Sequence, residues 1–446
     1  MGLVLTTPAH AQDRAGYSDD AIVVTARRFE ENLQDVPISI TVFNQEQLDQ
    51  RNITSTTDLA TYTPSLSLNS RYGPEKASFV IRGFSQELQT LPTVVVYFAD
   101  VPAPYLSSNI TSGNGAGPGD LFDLQNVQVL KGPQGTLFGR NSTGGAILLV
   151  PKKPSDELEG YVEGTYGNYD QRRVQAVVNV PLAETFKVRA GVDWNKRDGY
   201  INNTSGIGPD DFGDVDYIAA RLSILAELTP DLENYTIFKY SKTHTNYIVP
   251  KLVYCDPGAF NQAAFADCQA QLQRQAGRGY YDVENPVADP FVKARNWQII
   301  NTTTWNVSDT LTIKNIASYG EAREAYRFSL DGDLYFDALG GVGTFVTVNP
   351  GPTQPQGNQY SFSEELQWGR SVDGRLTWQA GGYMEKSKPN GGRVAQQQWS
   401  VFRGPARMYI ISSARAALFS RQTTPIPSTI TAFMRRRLTT CPNSSP

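Results

Sequence analysis

The chain offers few residues that could carry out catalysis. It has two histidines, His10 and His244, and its carboxylates are not grouped at spacings typical of an acid–base pair. The stretch Gly132–Gly139, GPQGTLFG, is rich in glycine but lacks the Gly-Lys-Ser/Thr ending of a phosphate-binding P-loop. We therefore expect no catalytic residue, no bound metal and no resident cofactor.

The cysteines indicate a structural bond rather than a metal site. Cys255 and Cys268 lie near each other in a stretch rich in Gly, Gln and Ala, without an accompanying histidine or acidic cluster. In an exported protein such a pair favours a disulfide over metal binding. The third cysteine, Cys441, has no evident partner.

Composition limits the classes of partner. The 446 residues carry a net charge of −4, which does not suggest a nucleic-acid partner. The longest apolar runs, such as Val94–Phe98, are far shorter than the roughly 18 residues of a membrane-spanning helix. Any role in a membrane must therefore be carried by β-strands.

The first 35 residues read as two short segments. Residues 1–11 resemble the end of a secretory signal, because Ala9-His10-Ala11 has the small-x-small form that precedes cleavage. A disordered terminus is the alternative. Residues 12–35 are predicted to be a flexible tether, although it contains the strand-forming quintet Ile22, Val23, Val24, Thr25 and Ala26.

Residues 36–154 mix helix and strand patterns. A strand is predicted at Ile38–Phe43, a short helix at Gln45–Arg51, and a second helix start in the cap-rich run Thr54–Leu59. Further strands separated by Gly-rich turns follow, up to Lys153. The pattern predicts a compact α+β unit.

Residues 155–388 instead show strict two-residue alternation. In FKVRAGVDWN, Val188, Ala190, Val192 and Trp194 lie on one face, whereas Lys187, Arg189, Asp193 and Asn195 lie on the other. About nine such segments, each of roughly ten or more residues, are joined alternately by tight turns and long polar loops. This pattern is typical of an outer-membrane β-barrel; a soluble antiparallel sandwich is the alternative, but its strands average about 5–6 residues.

The last segment, 389–446, has a different composition. It contains eight arginines but no aspartate, glutamate or lysine, and the alternation stops. A basic tail that contacts anionic lipid or nucleic acid would have this composition. The interpretation that we favour is an out-of-frame segment that begins near residue 390.

Three stretches resemble the TonB-dependent outer-membrane receptors. Ile22–Ala26 (IVVTA) looks like the family's TonB box, Phe79–Phe84 (FVIRGF) is similar to a plug strand, and Asn126–Pro154 is similar to the plug signature. The resemblance covers about residues 22–388. It implies an N-terminal plug inside a transmembrane barrel in the cell outer membrane, and uptake energised by the periplasmic domain of TonB. The cargo is usually a ferric siderophore.

The sequence departs from this family in one respect. Plugged transporters have about 22 strands, and only about nine are evident here, so we expect an incomplete barrel. An open sheet in lipid would expose unpaired backbone groups that cost several kcal/mol each. A truncated receptor is therefore expected, and a non-functional fragment is an alternative.

The resemblance also implies roles for individual residues. Ile22–Ala26 would bind TonB as an added strand. Arg82 and Arg140 would seat the plug by pairing with a barrel glutamate, for which Glu364 and Glu365 are candidates; separate solvated charges are the alternative. Candidate ligand contacts in plug loops are Arg71, Tyr72, Lys76 and Tyr105.

Other functions remain to be weighed. TonB-coupled uptake of cobalamin, an oligosaccharide or an aromatic compound would use the same motifs. A signal-relaying receptor would need a further folded domain before the box, an enzyme would need an active site, and a passive porin would not need the plug signature.

Overall fold

A computed structural model describes most of the chain between residues 23 and 437. The described residues are 23–26, 28, 31–70, 73, 77–86, 90–104, 119–139, 141–255, 262–328, 332, 344–348, 357–372, 376–390, 398–403, 407–410 and 432–437. Within them, no helix is both long and apolar enough to cross a membrane.

The α+β unit is built on a five-stranded mixed sheet. Its order is β3-β8-β9-β6-β7, and only β6 and β9 run parallel. The strands are β3 (Ile40–Asn44), β6 (Val94–Phe98), β7 (Val101–Pro102), β8 (Leu124–Lys131) and β9 (Gly145–Pro151). Strands β6 and β9 carry apolar side chains on both faces, and nearly all of these side chains are buried.

Two short helices follow β3, as the sequence predicts. Helix α1 (Gln45–Gln50) begins at a capping box in which Asn44 and Gln47 bond each other's backbone N–H. Helix α2 (Thr56–Tyr62) begins at Ser55, and Asp58 Oδ2 accepts from the backbone N–H of Thr54 and Ser55 at 3.0 and 2.8 Å. A four-residue helix, α3 (Gly135–Phe138), precedes β9.

Two antiparallel pairs complete the α+β unit. Strand β1 (Val23–Val24) pairs with β2 (Glu31–Asn32), which leads into a 3-10 helix at Leu33–Asp35. Strand β4 (Leu66–Asn69) pairs with β5 (Ser78–Ile81).

The second half forms one large sheet. Among the described residues, nine long antiparallel strands connect in chain order, which confirms the count expected from alternation. They are β10 (Glu159–Gly167), β11 (Gln171–Ala183), β12 (Phe186–Arg197), β15 (Val215–Thr229), β16 (Leu232–Thr245), β18 (Phe291–Ser308), β19 (Leu311–Phe328), β21 (Gly357–Val372) and β22 (Leu376–Pro389).

The two faces of this sheet differ. The inward face packs on the α+β unit: Tyr235, Ile237, Ile300 and Ile316 belong to the same buried cluster as the core of that unit. The outward face exposes apolar side chains from several strands, including Ile218, Phe238, Ile299, Tyr319 and Leu366. Tight turns join β11 to β12, β15 to β16, β18 to β19 and β21 to β22 at one end, the short-turn end. The long connections lie at the opposite, long-loop end, together with the short turn between β10 and β11.

The long connections are partly folded. Strands β13 (Ile201–Asn203), β14 (Asp211–Phe212) and β17 (Asp282–Val283) form a small sheet. The stretch expected to be a loop between β16 and β18 contains helix α4 (Gln262–Gln275). Alanine and glutamine favour a helix, but the segment has no clear apolar stripe by which the sequence could reveal it.

Four short strands extend the large sheet. They are β20 (Thr344–Val348), β23 (Gln398–Arg403), β24 (Arg407–Ile410) and β25 (Ala432–Arg437). The rest of the 391–446 segment lies outside the described residues, so the out-of-frame interpretation stays a prediction.

Candidate functional site

The N-terminal strand is buried in the α+β unit. Val24 and Ala26 have no exposed surface, and they pack with Tyr97 and Leu130 in one apolar cluster. The backbone N–H of Thr25 donates to Gln128 Oε1 at 3.2 Å. Ile22 lies outside the described residues.

This placement corrects the expectation of a flexible tether over residues 12–35, within the part that is described. Within the quintet, Val23 and Val24 form a strand, but its backbone pairs with β2, a segment expected to be part of the tether. An apolar strand with a free edge gains by pairing with any complementary strand nearby. This strand is therefore docked within the chain rather than free at its surface.

Arg28 fastens this strand from its C-terminal side. Its Nη1 donates to the backbone carbonyl of Asp100 at 3.1 Å, and its guanidinium lies 4.4 Å from the ring centroid of Phe138. Ion pairs reach Asp100 at 3.5 Å and Glu365 of β21 at 3.7 Å. Burial alone would lower the pKa of Arg28, but Glu365 and Asp100 raise it above its usual value. The side chain therefore stays charged while only 7% exposed.

Asp100 joins Arg28 to the large sheet. It lies in the two-residue turn between β6 and β7, where Ala99 and Asp100 both have positive φ, as in a type I′ hairpin. Lys314 Nζ of β19 lies 2.9 Å from Asp100 Oδ2. Burial would raise the pKa of Asp100, but Lys314 and Arg28 outweigh it and the pKa is lowered. Three segments thus meet at one carboxylate.

The predicted seating pairs need a correction. Glu365 pairs with Arg28, whereas Glu364 accepts a hydrogen bond from Asn315 Nδ2 at 3.4 Å. Within the described part of the chain Arg82 pairs with neither glutamate, because its exposed side chain lies beside Gly132. Arg82 adopts φ 52° in the turn after β5. Arg140 lies outside the described residues.

A second contact between the α+β unit and the large sheet was not predicted from the sequence. Its charges are reversed relative to the predicted pairs, in which the α+β unit supplies arginines and the large sheet supplies glutamates. The acids lie in the α+β unit, on the docking segment Gly119–Asp123, and the bases lie on the large sheet. Arg189 Nε and Nη2 of β12 donate to Asp123 at 2.8 and 2.5 Å, and both side chains are 4% exposed. Arg221 Nη2 lies 3.3 Å from Asp123, and Lys239 Nζ lies 3.0 Å from Asp120.

Close packing accompanies these ion pairs. Phe122 packs with Val177 and Ala219 on the inward face. A Cβ added to Gly119 would lie 2.3 Å from the Cβ of Ala219, and Gly119 has φ +81°. Gly119 therefore permits an approach that a larger residue would block.

A signal for this contact was present in the sequence. Alternation had already placed Lys187 and Arg189 on the polar face of β12, and Arg221 and Lys239 alternate with apolar residues in β15 and β16. Cations that recur on a face turned away from lipid require anionic partners. The partner segment, by contrast, could not be identified from alternation alone.

The other predicted site residues have mixed outcomes. Arg71, Tyr72, Lys76 and Tyr105 lie outside the described residues, so their role as ligand contacts stays a prediction. The structure joins Cys255 to Cys268 through a disulfide, with their Cα atoms 6.0 Å apart. Among the described residues, no group of three or more His, Cys, Asp or Glu side chains could hold a metal ion.

The layer at the long-loop end has its own core and a buried carboxylate. Ile201, Phe212 and Val283 pack together with Val249. Asp214 accepts from the backbone N–H of Asn246 at 2.8 Å. Burial raises the pKa of Asp214 to about 6.

Comparisons with known proteins match this architecture. The family profile described as TonB-dependent Receptor Plug Domain matches residues 32–146. The ferripyoverdine receptor of Pseudomonas aeruginosa is 30% identical over 178 residues, which are 40% of this chain and 20% of that protein. The vitamin B12 transporter BtuB of Vibrio vulnificus is 25% identical over 48% of this chain and 34% of its own length. The chain thus spans about a fifth to a third of these relatives.

A solved structure shows the same fold. The ferric yersiniabactin uptake receptor FyuA of Yersinia pestis superposes with a TM-score of 0.59 and 18% identity, covering 83% of this chain and 51% of that one. The α+β unit therefore matches the plug domain of the TonB-dependent receptors, and the large sheet has the fold of the barrel in the FyuA structure.

Proposed function

We propose that this chain provides the plug and part of the barrel of an energised receptor in the cell outer membrane. The receptor takes up a scarce ligand, most simply a ferric siderophore, and the plug gates the barrel. The observation that supports this most is the N-terminal strand, which is docked in the plug and fastened by Arg28 to both plug and barrel.

The proposed energy source is the periplasmic domain of TonB. The outer membrane has no ATP, so energy must arrive from a partner that crosses the periplasm. Residues Ile22–Ala26 would bind that partner as an added strand, through main-chain hydrogen bonds. Because Val24 and Ala26 are buried within the chain, the strand must leave its site before TonB can pair with it.

A titration of the TonB periplasmic domain tests this proposal. A peptide spanning Asp19–Arg28 should bind, and Val23→Pro should abolish binding because proline removes a strand N–H. The full chain should bind more weakly than the peptide, since docking competes. Arg28→Ala should strengthen binding to the full chain and leave binding to the peptide unchanged.

The size of this effect follows from the contacts of Arg28. A hydrogen bond from a charged donor contributes about 1.5–3 kcal/mol, so Arg28→Ala should tighten full-chain binding by at least roughly tenfold. Equal effects on peptide and full chain would contradict the fastening role. Failure of the peptide to bind would remove the energised-transport proposal.

The proposed cargo, a ferric siderophore, is based on the ligands for which relatives of this chain are named. Two are named for ferripyoverdine and ferrioxamine B, and one for vitamin B12. Ligand contacts are proposed at Arg71, Tyr72, Lys76 and Tyr105. Binding measured against ferric siderophores, cobalamin, oligosaccharides and aromatic compounds would identify the class, and substitution of these four residues should weaken it.

Two further points concern the activity of the chain as a whole: whether it has a catalytic role, and whether it transports anything. The family consists of receptors and transporters, and we propose that the chain has no catalytic role. A non-functional receptor fragment is the alternative to transport. It would be favoured if the expressed chain were absent from the outer-membrane fraction.

A further inference from the structure

The connection between β8 and β9, residues 132–144, lies against the N-terminal strand. We call it the α3 arm, because it contains helix α3, and two residues of that helix contact Arg28. We propose that the α3 arm links the far end of the plug sheet to the docked strand, and that Tyr97 is the positioning residue that holds α3 against Arg28. The proposal deepens the energised-receptor function proposed above and rests on it.

The plug sheet has two buried faces, and the α3 arm packs on the second of them. Side chains alternate along a strand, and those of β6 fall into two clusters. Val96 and Phe98 belong to the cluster that includes inward residues of the large sheet. Tyr97 points to the opposite face, where it packs with Ala26 of the N-terminal segment and Phe138 of α3. The docked strand and the α3 arm therefore share one face of the sheet.

The α3 arm extends along this face. It leaves β8 after Lys131, the register partner of Gly145, at the end of the sheet where β9 begins, which we call the far end. Its helix reaches Tyr97, whose ring centroid lies 5.1 Å from that of Phe138. Tyr97 is the register partner of Leu148, three residues along β9 from Gly145, so the arm spans about 10 Å of the sheet. It therefore joins the far end to the neighbourhood of the N-terminal strand.

Hydrogen bonds across the α3 arm hold it as one unit. The backbone N–H of Gly132 donates to the carbonyl of Gly144, and that of Gln134 donates to the carbonyl of Ser142, both at 2.9 Å. The hydroxyl of Ser142, a residue only 1% exposed, donates to the carbonyl of Gly139 at 2.7 Å. Because the two sides of the arm are bonded to each other, a displacement of its root at the far end carries helix α3 with it.

The C-terminal end of α3 is where the arm meets Arg28. The last carbonyls of a helix have no partner within the helix, and here two side chains bind them. Arg28 Nε donates to the carbonyl of Leu137 at 3.5 Å, and the Tyr97 hydroxyl donates to the carbonyl of Phe138. The Arg28 guanidinium also lies 4.4 Å from the ring centroid of Phe138 and 5.3 Å from that of Tyr97. Arg28 thus rests on a surface formed by these two rings.

Tyr97 acts on Arg28 through α3. Tyr97 and Phe138 are 3% and 5% exposed, so the hydrogen bond between them is shielded from water. Removing the Tyr97 hydroxyl would leave the Phe138 carbonyl buried without this donor, which is unfavourable. The end of α3 would then be free to move away from Arg28. The role of Tyr97 is therefore to position the surface on which Arg28 rests.

Maleimide labelling of an Ala26→Cys variant tests the proposal, in the full chain in detergent micelles with Cys441→Ser. Tyr97→Phe keeps the ring but removes the hydroxyl, and it should raise the labelling rate about fivefold, the effect of losing one buried hydrogen bond. Gly132→Ala changes the root of the arm. Gly132 has φ +107°, which L side chains rarely adopt, so this substitution should raise the rate at least about threefold.

A double-mutant cycle separates positioning from general loosening. In an Arg28→Ala background, Tyr97→Phe and Gly132→Ala should each raise the labelling rate by less than about twofold, because the contact through which they act is gone. Gly83→Ala is the matched control. Gly83 also has positive φ, +81°, but a Cβ there would meet nothing within 4 Å, and the residue lies outside the α3 arm. It should leave the labelling rate unchanged.

A second cysteine reports on the plug as a whole. Val129 has no exposed surface and packs on the other face of the sheet, so Val129→Cys should label slowly in both variants. The proposal would be overturned by an equal rise at both cysteines, by equal effects of Tyr97→Phe with and without Arg28, or by an unchanged rate at Ala26→Cys. The labelling needs no TonB, so its outcome is separate from that of the peptide titration, which tests the energised function itself.

Discussion

Asp123 is the residue whose change should loosen the plug most clearly. Its carboxylate is 4% exposed and lies against the guanidinium groups of Arg189 and Arg221. Asp123→Asn keeps the shape but removes the charge, and it leaves two buried cations facing an amide. Breaking a buried pair by removing one partner costs about 3–5 kcal/mol.

The contacts that remain in the Asp123→Asn variant place the expected loss of stability at the lower end of this range. Arg189 keeps an ion pair with Glu159 at 2.9 Å, and Arg221 keeps hydrogen bonds to the carbonyls of Phe122 and Asp123, both at 2.7 Å. We therefore expect a loss of about 3 kcal/mol, which is roughly a 100-fold change in an equilibrium constant.

Hydrogen exchange of the docking segment, followed by mass spectrometry, is the assay. Amides of residues 119–123 should exchange about 100-fold faster in the Asp123→Asn variant. Glu233→Gln is the matched control, because Glu233 pairs with the half-exposed Lys153 and such a pair contributes at most about 1 kcal/mol. A change below threefold in Asp123→Asn, or an equal change in the control, would refute the anchoring role of the buried cluster.

Three further predictions concern Gly119, Asp214 and the disulfide. Gly119→Ala should loosen the same segment, because the new Cβ would lie 2.3 Å from Ala219; unaltered exchange would show that the close approach is not required. Because burial raises the pKa of Asp214 to about 6, its contribution to stability is full below about pH 4 and is lost as pH rises through 6. Proteolysis of the long-loop layer should therefore quicken as pH rises from about 4 to about 6 and level off above that, and Asp214→Asn should abolish this dependence. Cys255→Ser should quicken proteolysis near helix α4 at any pH, and an unchanged cleavage rate would assign the disulfide no protective role.

The sequence predicted the parts of the fold that local patterns specify. Alternation predicted the nine long strands, and the cap-rich run Thr54–Leu59 predicted the start of helix α2. Both signals depend on neighbours within a few residues, so no knowledge of distant contacts is needed.

The contacts between segments could not be predicted in the same way. The pairing of Val23–Val24 with β2 and the choice of Arg28 rather than Arg82 as the partner of Glu365 depend on how the turns direct each chain. Charge type was predictable, since buried cations need acids, but the identity of the acid on the docking segment was not. Helix α4 was missed because its composition lacks an apolar stripe.

Docking of the N-terminal strand is the central claim, and the accessibility of Ala26 tests it most directly. Ala26 has no exposed surface, so a cysteine placed there in a Cys441→Ser background should react slowly with a maleimide in the full chain. Adding Arg28→Ala should raise the labelling rate at least tenfold. Rapid labelling in the chain that retains Arg28 would contradict the account, because the strand would then be free before any partner arrives.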